Sequence, residues 1–257
     1  MTKRPVFTFD KSGEEGLPNL SPANRARVES LRETNTRIPL GPLYKYLRPE
    51  HARAMVASGA IRVGTLGYYR RREEEDSLRG DSTEGFADYV ESPPGLQTAD
   101  NLSEFAKAIW TPPPGTIGLN NKWISRVEHH DTFVYCTSSE LSARAAGDYT
   151  ACVEITDVPR FINILNSAMG RAFPAQYAEV ESRTSAVVYH DRELSHELFG
   201  YVSAAFVKEP KFEREAEVRI VWTVPLPGKT ESIDFDRITF GSIVRLIEIP
   251  TLTTDQL

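Results

Sequence analysis

The chain has 257 residues, 40% of them hydrophobic and 26% charged, with a formal net charge of -6. That is close to the globular average, and long enough for one large domain or two small ones. The acidic balance excludes nucleic-acid binding driven by charge over the whole surface, while leaving room for a local basic groove.

In chain order, the N-terminal M-T-K-R-P-V-F-T-F-D lacks the apolar run of a signal peptide. No later stretch approaches the length of an apolar membrane span, so the expectation is a soluble, cytoplasmic protein with no membrane partner. Residues 1–36 hold few apolar side chains and read as a weakly ordered arm, with a short helix over Ser21–Leu31 that begins Ser21-Pro22. Pro39 and Pro42 close it, and 37–257 reads as a single α+β domain. L-Y-K-Y-L (Leu43–Leu47) predicts a strand, and Pro49–Ser58 a helix with Pro at its start and Gly59 at its end. Ala52, Met55 and Val56 would form its buried stripe. I-R-V-G-T-L (Ile61–Leu66) predicts a second strand. From 76 to 121 the composition turns to Gly, Pro, Ser and acids, which reads as a long loop insertion with a short helix over Ser103–Trp110; loops of this length are functional or mobile. Strands follow at Lys122–Glu128, Phe133–Ser138 and Thr150–Ile155, and helices at Val158–Met169 and Pro174–Glu181. Further strands fall at Ser185–His190, Val202–Lys208, Glu217–Val224 and Ile243–Ile249. The pattern is α+β: a mostly antiparallel sheet with segregated helices and long surface loops. Cys136 and Cys152 lie in apolar strand-like runs and read as reduced core thiols.

Chemistry concentrates first in K-E-P-K-F-E-R-E-A-E-V-R-I-V-W (Lys208–Trp222). Val218, Ile220 and Trp222 alternate with Glu217, Arg219 and Val221, the period of a half-buried strand. Glu213 and Glu215 precede Glu217 at the same spacing and would share its face. A carboxylate carried into a strand is costly unless it is paired or used, which makes Glu217 the first candidate. The same residues also read as a local ion pair of Glu217 with Lys211, Arg214 or Arg219 on a solvated face. R-R-R-E-E-E (Arg70–Glu75) reads equally as a self-satisfied helical charge run. Tyr44 and Tyr46 make one strand face aromatic, which suits a core as well as a ligand. G-D-S-T-E-G (80–85) reads as a turn before a phosphate or metal loop, lacking both calcium-loop acid spacing and G-K-[ST]. T-S-S-E (137–140) has no G-x-S-x-G context, and His190 in V-V-Y-H-D-R-E reads first as a solvated strand-end residue.

Four clusters carry a resemblance to a known family: L-Y-K-Y at 43–46, G-T-L-G-Y-Y-R-R-R-E at 64–73, G-D-S-T-E-G at 80–85 and F-E-R-E-A-E-V-R-I at 212–220. Together, over roughly residues 40–225, they resemble a widespread bacterial family of unknown function. The order strand, helix ending in Gly, strand, Arg-bearing segment, Ser/Thr strand and late R-x-A-E strand also resembles ADP-ribosyltransferases of the DarT type, which attach ADP-ribose from NAD to single-stranded DNA. Arg214, Ala216 and Glu217 match the R-x-A-E, although Tyr44, Lys45 and Tyr46 stand where many such enzymes carry His or Arg in the opening strand. The resemblance implies a mostly antiparallel split sheet of the ADP-ribosyltransferase type and NAD as co-substrate, with no metal expected.

Cleaving the nicotinamide–ribose bond passes through an oxocarbenium-like centre, which a carboxylate stabilises; Glu217 would take that part. Arg70, ahead of Arg71 and Arg72, would meet the pyrophosphate. Tyr44, Tyr46 or Tyr69 would stack on a ring of NAD, with Lys45 beside them in the opening strand, and Thr137 or Ser138 would offer a hydroxyl to the opening strand or the ribose. Tyr46, Arg70 and Glu217 are expected to converge in a cleft. The function expected is that of an NAD-dependent ADP-ribosyltransferase-like toxin or anti-phage defence effector, with a nucleic-acid or protein acceptor and an antitoxin or regulatory partner. The alternative is a non-catalytic binding or regulatory domain that docks a protein partner through its long loop. A metal-dependent phosphoesterase using Asp81 and Glu84 ranks last.

Overall fold

Pairing along one central strand, Thr132–Ser138, organises the fold. The structure is a computed structural model that describes residues 41–75, 85–91, 96–98, 117–119, 123–128, 132–174, 181–191, 193–195, 203–224 and 230–250. Its elements in chain order are β1 (Leu43–Leu47), α1 (Pro49–Ser58), β2 (Ile61–Thr65), α2 (Leu66–Glu75), β3 (Phe86–Glu91), β4 (Leu96–Thr98), β5 (Ile117–Leu119), β6 (Trp123–Glu128) and β7 (Thr132–Ser138). Then come α3 (Ala143–Ala146), β8 (Ala151–Ile155), α4 (Val158–Ala172), β9 (Glu181–Ala186), β10 (Val188–Tyr189), β11 (Glu193–Ser195), β12 (Val207–Lys208), β13 (Glu217–Thr223), β14 (Ser232–Phe235) and β15 (Val244–Ile247). The chain is mixed α+β with mostly antiparallel sheets.

An eight-stranded sheet runs β14-β2-β7-β1-β8-β15, with β13 on the other edge of β7 and β9 beyond it. β13 pairs with β7 over its whole length, from Glu217↔Ser138 to Thr223↔Thr132. The opposite edge of β7 is shared: β2 takes Val134 and Phe133, and β1 meets it at Ser138. The sheet therefore branches at β7 into a β2–β14 arm and a β1–β8–β15 arm. Separate small sheets join β3 to β6 and β11, β10 to β12, and β4 to β5.

Side-chain parity assigns the two faces. Phe133 and Tyr135 of β7, with Val218, Ile220 and Trp222 of β13, point into one core under α1 and α4. Helix α4 buries Val158, Phe161, Leu165, Ala168 and Met169, a stripe at helical spacing, and Asp157 caps it by accepting from the Arg160 amide at 3.0 Å. Phe161 stacks on Phe240 at 5.1 Å, and Trp222 Nε1 donates to Asn166 Oδ1 at 2.7 Å. The opposite face carries smaller clusters around Leu66, Val134 and Val221, and around Tyr46 and Cys152.

Several expectations are corrected. β13 is buried on both faces, because β7 and β9 flank it and chain covers its polar side, so it is not half-solvated. Residues 210–215 form a 3-10 turn opened by Pro210, so Glu213 and Glu215 do not extend the strand. Ser203 accepts from the Ala205 amide and starts a 3-10 turn at Ala204–Phe206, so among the described residues of the expected Val202–Lys208 strand the strand is Val207–Lys208. The 185–190 strand begins earlier, at Glu181, and breaks at Val187. The last strand follows a 3-10 turn at Gly241–Ile243. Val56 is exposed, so Ala52 and Met55 alone form the buried stripe of α1. Within the 76–121 insertion, F-A-D-Y-V-E is a strand: Ala87 and Tyr89 are buried, and Asp88 accepts two bonds from Arg126 of β6 at 2.7 and 2.8 Å. The expected helices at Ser21–Leu31 and Ser103–Trp110, the arm, and Asp81 and Glu84 lie outside the described residues; of the Pro174–Glu181 helix, 175–180 do too, and Glu181 is in β9.

Gly59 closes α1 with a left-handed φ of 70°, and an added Cβ would sit 1.7 Å from the Ile238 carbonyl oxygen. Backbone must move to admit it, so Gly59→Ala is expected to lower stability by roughly 2 kcal/mol or more in urea unfolding. Gly41→Ala, with nothing within 4 Å of its added Cβ, should stay within about 0.5 kcal/mol of the parent.

Candidate functional site

A cavity of about 340 Å³ opens on the branch of the sheet. Its floor is the even-numbered side of β1 and β7 together with the start of β13: Tyr44, Tyr46, Cys136, Ser138 and Glu217. Leu66 and Tyr69 of α2 close one wall. Arg144 and the residues through Tyr149 form another, and Lys208, Arg214 and Glu215 a third. Gly64 lets α2 approach so closely, since a Cβ there would lie 2.6 Å from the Tyr68 ring and 2.9 Å from the Tyr69 ring.

Glu217 is 6% exposed and sits between two cations. Arg219 donates through Nε to Oε1 at 2.9 Å and through Nη2 to Oε2 at 3.2 Å, and Lys208 Nζ donates to Oε2 at 3.1 Å. Lys208 also bonds Glu215 at 2.6 Å, so the four side chains alternate in sign: Arg219, Glu217, Lys208, Glu215. Arg219 Nη1 donates to the Ala205 carbonyl at 2.6 Å, which ties the 3-10 turn to β13. Burial alone would raise the Glu217 pKa, but Arg219 and Lys208 outweigh it and hold the carboxyl well below its usual range. At neutral pH Glu217 is therefore an anion and not a proton donor. Of the ion-pair partners anticipated, Arg219 is the one that forms; Lys208 takes the place of Lys211 and Arg214, because the 3-10 turn carries Arg214 elsewhere and Lys211 pairs with Glu209.

Immediately before Glu217, Ala216 adopts φ 43° and ψ 47°, and it is the one non-glycine residue with positive φ among those described. Its carbonyl accepts from the Ser139 amide at 2.9 Å and from Ser139 Oγ at 3.1 Å. The Glu217 amide donates to Tyr189 Oη at 2.8 Å. The strained turn aims the carboxylate at the cavity and is held from two sides.

The branch leaves a backbone acceptor to satisfy. Between the β2 and β1 pairings of β7, the Cys136 carbonyl accepts from Lys45 Nζ at 2.6 Å, and that ammonium lies 4.7 Å from the centre of the Tyr135 ring. Lys45 is thus a strut across the split. Tyr46 Oη donates to the Glu140 carbonyl at 2.7 Å and accepts from the Ser142 amide at 2.8 Å; burial, the largest cause, pushes its pKa up to about 12. Burial likewise pushes the Cys136 thiol up, reinforced by Glu217 beside it, so Cys136 is no thiolate nucleophile.

Of the residues singled out in the sequence, Tyr44, Lys45, Tyr46, Tyr69, Thr137, Ser138 and Glu217 all line this cavity. The hydroxyls of Thr137 and Ser138 are engaged with the Val218 carbonyl and with the Glu140 backbone, so these residues are wall and not ligand donors. Arg70 does not line it. One helical step of about 100° beyond Tyr69 turns Arg70 away, and it is buried with its guanidinium 4.2 Å from the centre of the Phe86 ring. Arg71 pairs with Glu231 at 2.7 Å. His190 Nδ1 contacts the Asp191 carbonyl at 2.7 Å, outside the cavity wall. The sequence offered Arg219 as a partner of Glu217, and that pair forms, but it gave no sign of Lys208 as the second partner or of Arg144 and Asp148 as wall residues. Arg219 was legible from its i+2 spacing on the strand; Lys208, Arg144 and Asp148 had no local signal. Among the described residues, no three His, Cys, Asp or Glu side chains gather as metal ligands, and no helix is long and apolar enough to cross a membrane.

In comparison with known proteins, the chain matches no protein-family model, no curated protein and no solved structure.

Removing the charge at the centre of the chain strands Arg219, so Glu217→Gln is expected to cost about 3 kcal/mol in urea unfolding at neutral pH. Because the folded carboxyl titrates below its ordinary value of 4.5, its contribution is complete above that pH and is lost as the pH falls below it. The stability gap between parent and variant should therefore narrow in acid. Ala216→Gly relieves a left-handed alanine and should be neutral or stabilising by about 0.5–1 kcal/mol, read from the thermal midpoint.

Proposed function

We propose that the cavity binds a dinucleotide of the NAD type and that the chain is an NAD-dependent ADP-ribosyltransferase with a split sheet of that class. The observation that carries this reading is convergence. The opening strand at 44–46, the end of β7 at 137–138 and the buried Glu217 are far apart in sequence and line one cavity at the branch of the sheet. The electrostatics support it too. A carboxylate held anionic serves as an acceptor and as a charge opposite a developing cation, the part needed when the bond between ribose and nicotinamide breaks. In that step the bonding electron pair leaves with neutral nicotinamide, the sugar carbon becomes cationic, and an acceptor heteroatom attacks it and sheds its proton. The chain's contribution is to bind, orient and stabilise.

Glu217 retains capacity for this part. Arg219 and Lys208 fill three of its roughly four acceptor sites, and the Cys136 thiol beside it is a weak donor that a sugar hydroxyl would displace. Tyr44, Tyr46 and Tyr69 supply aromatic wall area, with the Tyr46 hydroxyl already committed. The acceptor class is nucleic acid or protein, and the expected setting is a toxin or defence effector.

One observation favours a second reading, a non-catalytic binding or regulatory domain. Both oxygens of Glu217 are engaged, as they would be in a purely architectural ion knot.

Activity separates the two. Incubation with NAD should release nicotinamide and label a nucleic-acid or protein acceptor, and NAD should raise the thermal midpoint progressively, with the logarithm of its concentration once that exceeds Kd. Glu217→Gln should slow release by roughly a hundredfold or more while the midpoint shift with NAD persists. Glu217→Asp, which keeps the charge but withdraws it by one methylene, should be slowed as well. No midpoint shift and no nicotinamide release would leave the architectural reading standing alone.

A further inference from the structure

We infer that Arg144 and Arg214 form an anion-binding mouth on this cavity and hold the phosphate groups of its ligand; the identity of that ligand as a dinucleotide rests on the reading above. Four cations line the cavity, and two are already committed. Lys208 is 5% exposed and shared between Glu215 and Glu217, and Lys45 is spent on the Cys136 carbonyl and the Tyr135 ring. Arg144 and Arg214 are solvent-exposed wall residues that make no ion pair or side-chain hydrogen bond among the described residues.

Both guanidinium groups project from anchored backbone. Arg144 belongs to α3, which is capped by Ser142 Oγ accepting from the Ala145 amide at 3.0 Å and is tied to β1 by Tyr46 Oη on the Ser142 amide. Arg214 belongs to the 3-10 turn that buries Phe212 and is drawn to Lys208 through Glu215. α3 and this turn pack against each other, so the two arginines rise from adjoining elements. A planar guanidinium matches phosphate oxygens in a fork, and two of them suit a pyrophosphate better than a single charge. The inner cavity carries Glu217 with Arg219 and Lys208 already paired to it, so the positive charge left uncommitted lies at the mouth. Phosphate belongs at the mouth, and sugar and base belong inward. Asp148 lies on the same wall and already has contacts of its own.

The test is calorimetric titration of the full chain with ADP-ribose, inorganic pyrophosphate and nicotinamide riboside, which keeps nicotinamide and ribose but lacks the bridging pyrophosphate. Replacing both residues (Arg144→Ala with Arg214→Ala) should weaken ADP-ribose by roughly a hundredfold in Kd, since a hydrogen bond to a charged group is worth on the order of one decade or more. Pyrophosphate binding should be lost, and riboside binding should change by less than about twofold, against Arg53→Ala on α1 as a control for net charge. Binding of ADP-ribose by the double variant at parental affinity, or no binding of ADP-ribose and pyrophosphate by the parent, overturns the inference. The two readings separate in their failures. Loss of ADP-ribose binding in the double variant, with no nicotinamide released from NAD by the parent, upholds the mouth and rejects the transferase. Nicotinamide release with an unchanged KM in the double variant rejects the mouth alone.

Discussion

Glu217 stands between Arg219 and Lys208 with almost no solvent, and the positions of the central strand, the 203–215 segment and the cavity wall all follow from that contact. Desolvating three charges costs several kcal/mol for each ion, and the mutual attraction returns that only when the geometry is good and the remaining donors are used. Both conditions are met. Arg219 spends its third nitrogen on the Ala205 carbonyl, and Lys208 divides itself between two carboxylates. An ion chain of this kind adds little net stability over an apolar filling of the same volume, but it tolerates very few arrangements. Its consequence is positional: β12, the 3-10 turn and β13 are locked in register with an anion facing the cavity.

The cavity itself comes from the branch at β7. A strand has two edges, and β13 occupies one of them completely. On the other, β2 pairs with Phe133 and Val134 and β1 with Ser138, at opposite ends, so the arms diverge and uncover the Cys136 carbonyl. Lys45 satisfies that carbonyl with a side chain instead of a ladder bond. Tyr46 then fixes the 140–142 backbone, and with it the wall that carries Arg144. A short opening strand thus supplies the strut for the split, the anchor of one wall and part of the aromatic floor.

Some of this was legible. The alternation of Val218, Ile220 and Trp222 against Glu217, Arg219 and Val221 located β13 and paired Glu217 with Arg219 on one side of it. Pro49 and Gly59 bounded α1 correctly because both act through local backbone geometry. Other elements were hidden by their neighbours in sequence. F-A-D-Y-V-E alternates cleanly, yet Gly, Pro and acidic residues on both sides masked it as loop. The apparent spacing of Glu213, Glu215 and Glu217 misled, because Pro210 starts a 3-10 turn that breaks the strand period.

Local chemistry in the sequence determined the α+β class, the main strands and the placement of Glu217 on an apolar strand, since side-chain parity and terminal Pro and Gly residues depend only on near neighbours. The tertiary structure alone decided which cations meet that carboxylate. Lys208 lies nine residues away and across a turn, while Lys211 and Arg214 are nearer in sequence and do not reach it. It also decided that Arg70 packs on Phe86 while Arg144 and Arg214 face the cavity. The direction of a long side chain is set by whatever packs around its element, and that information is spread over the whole chain.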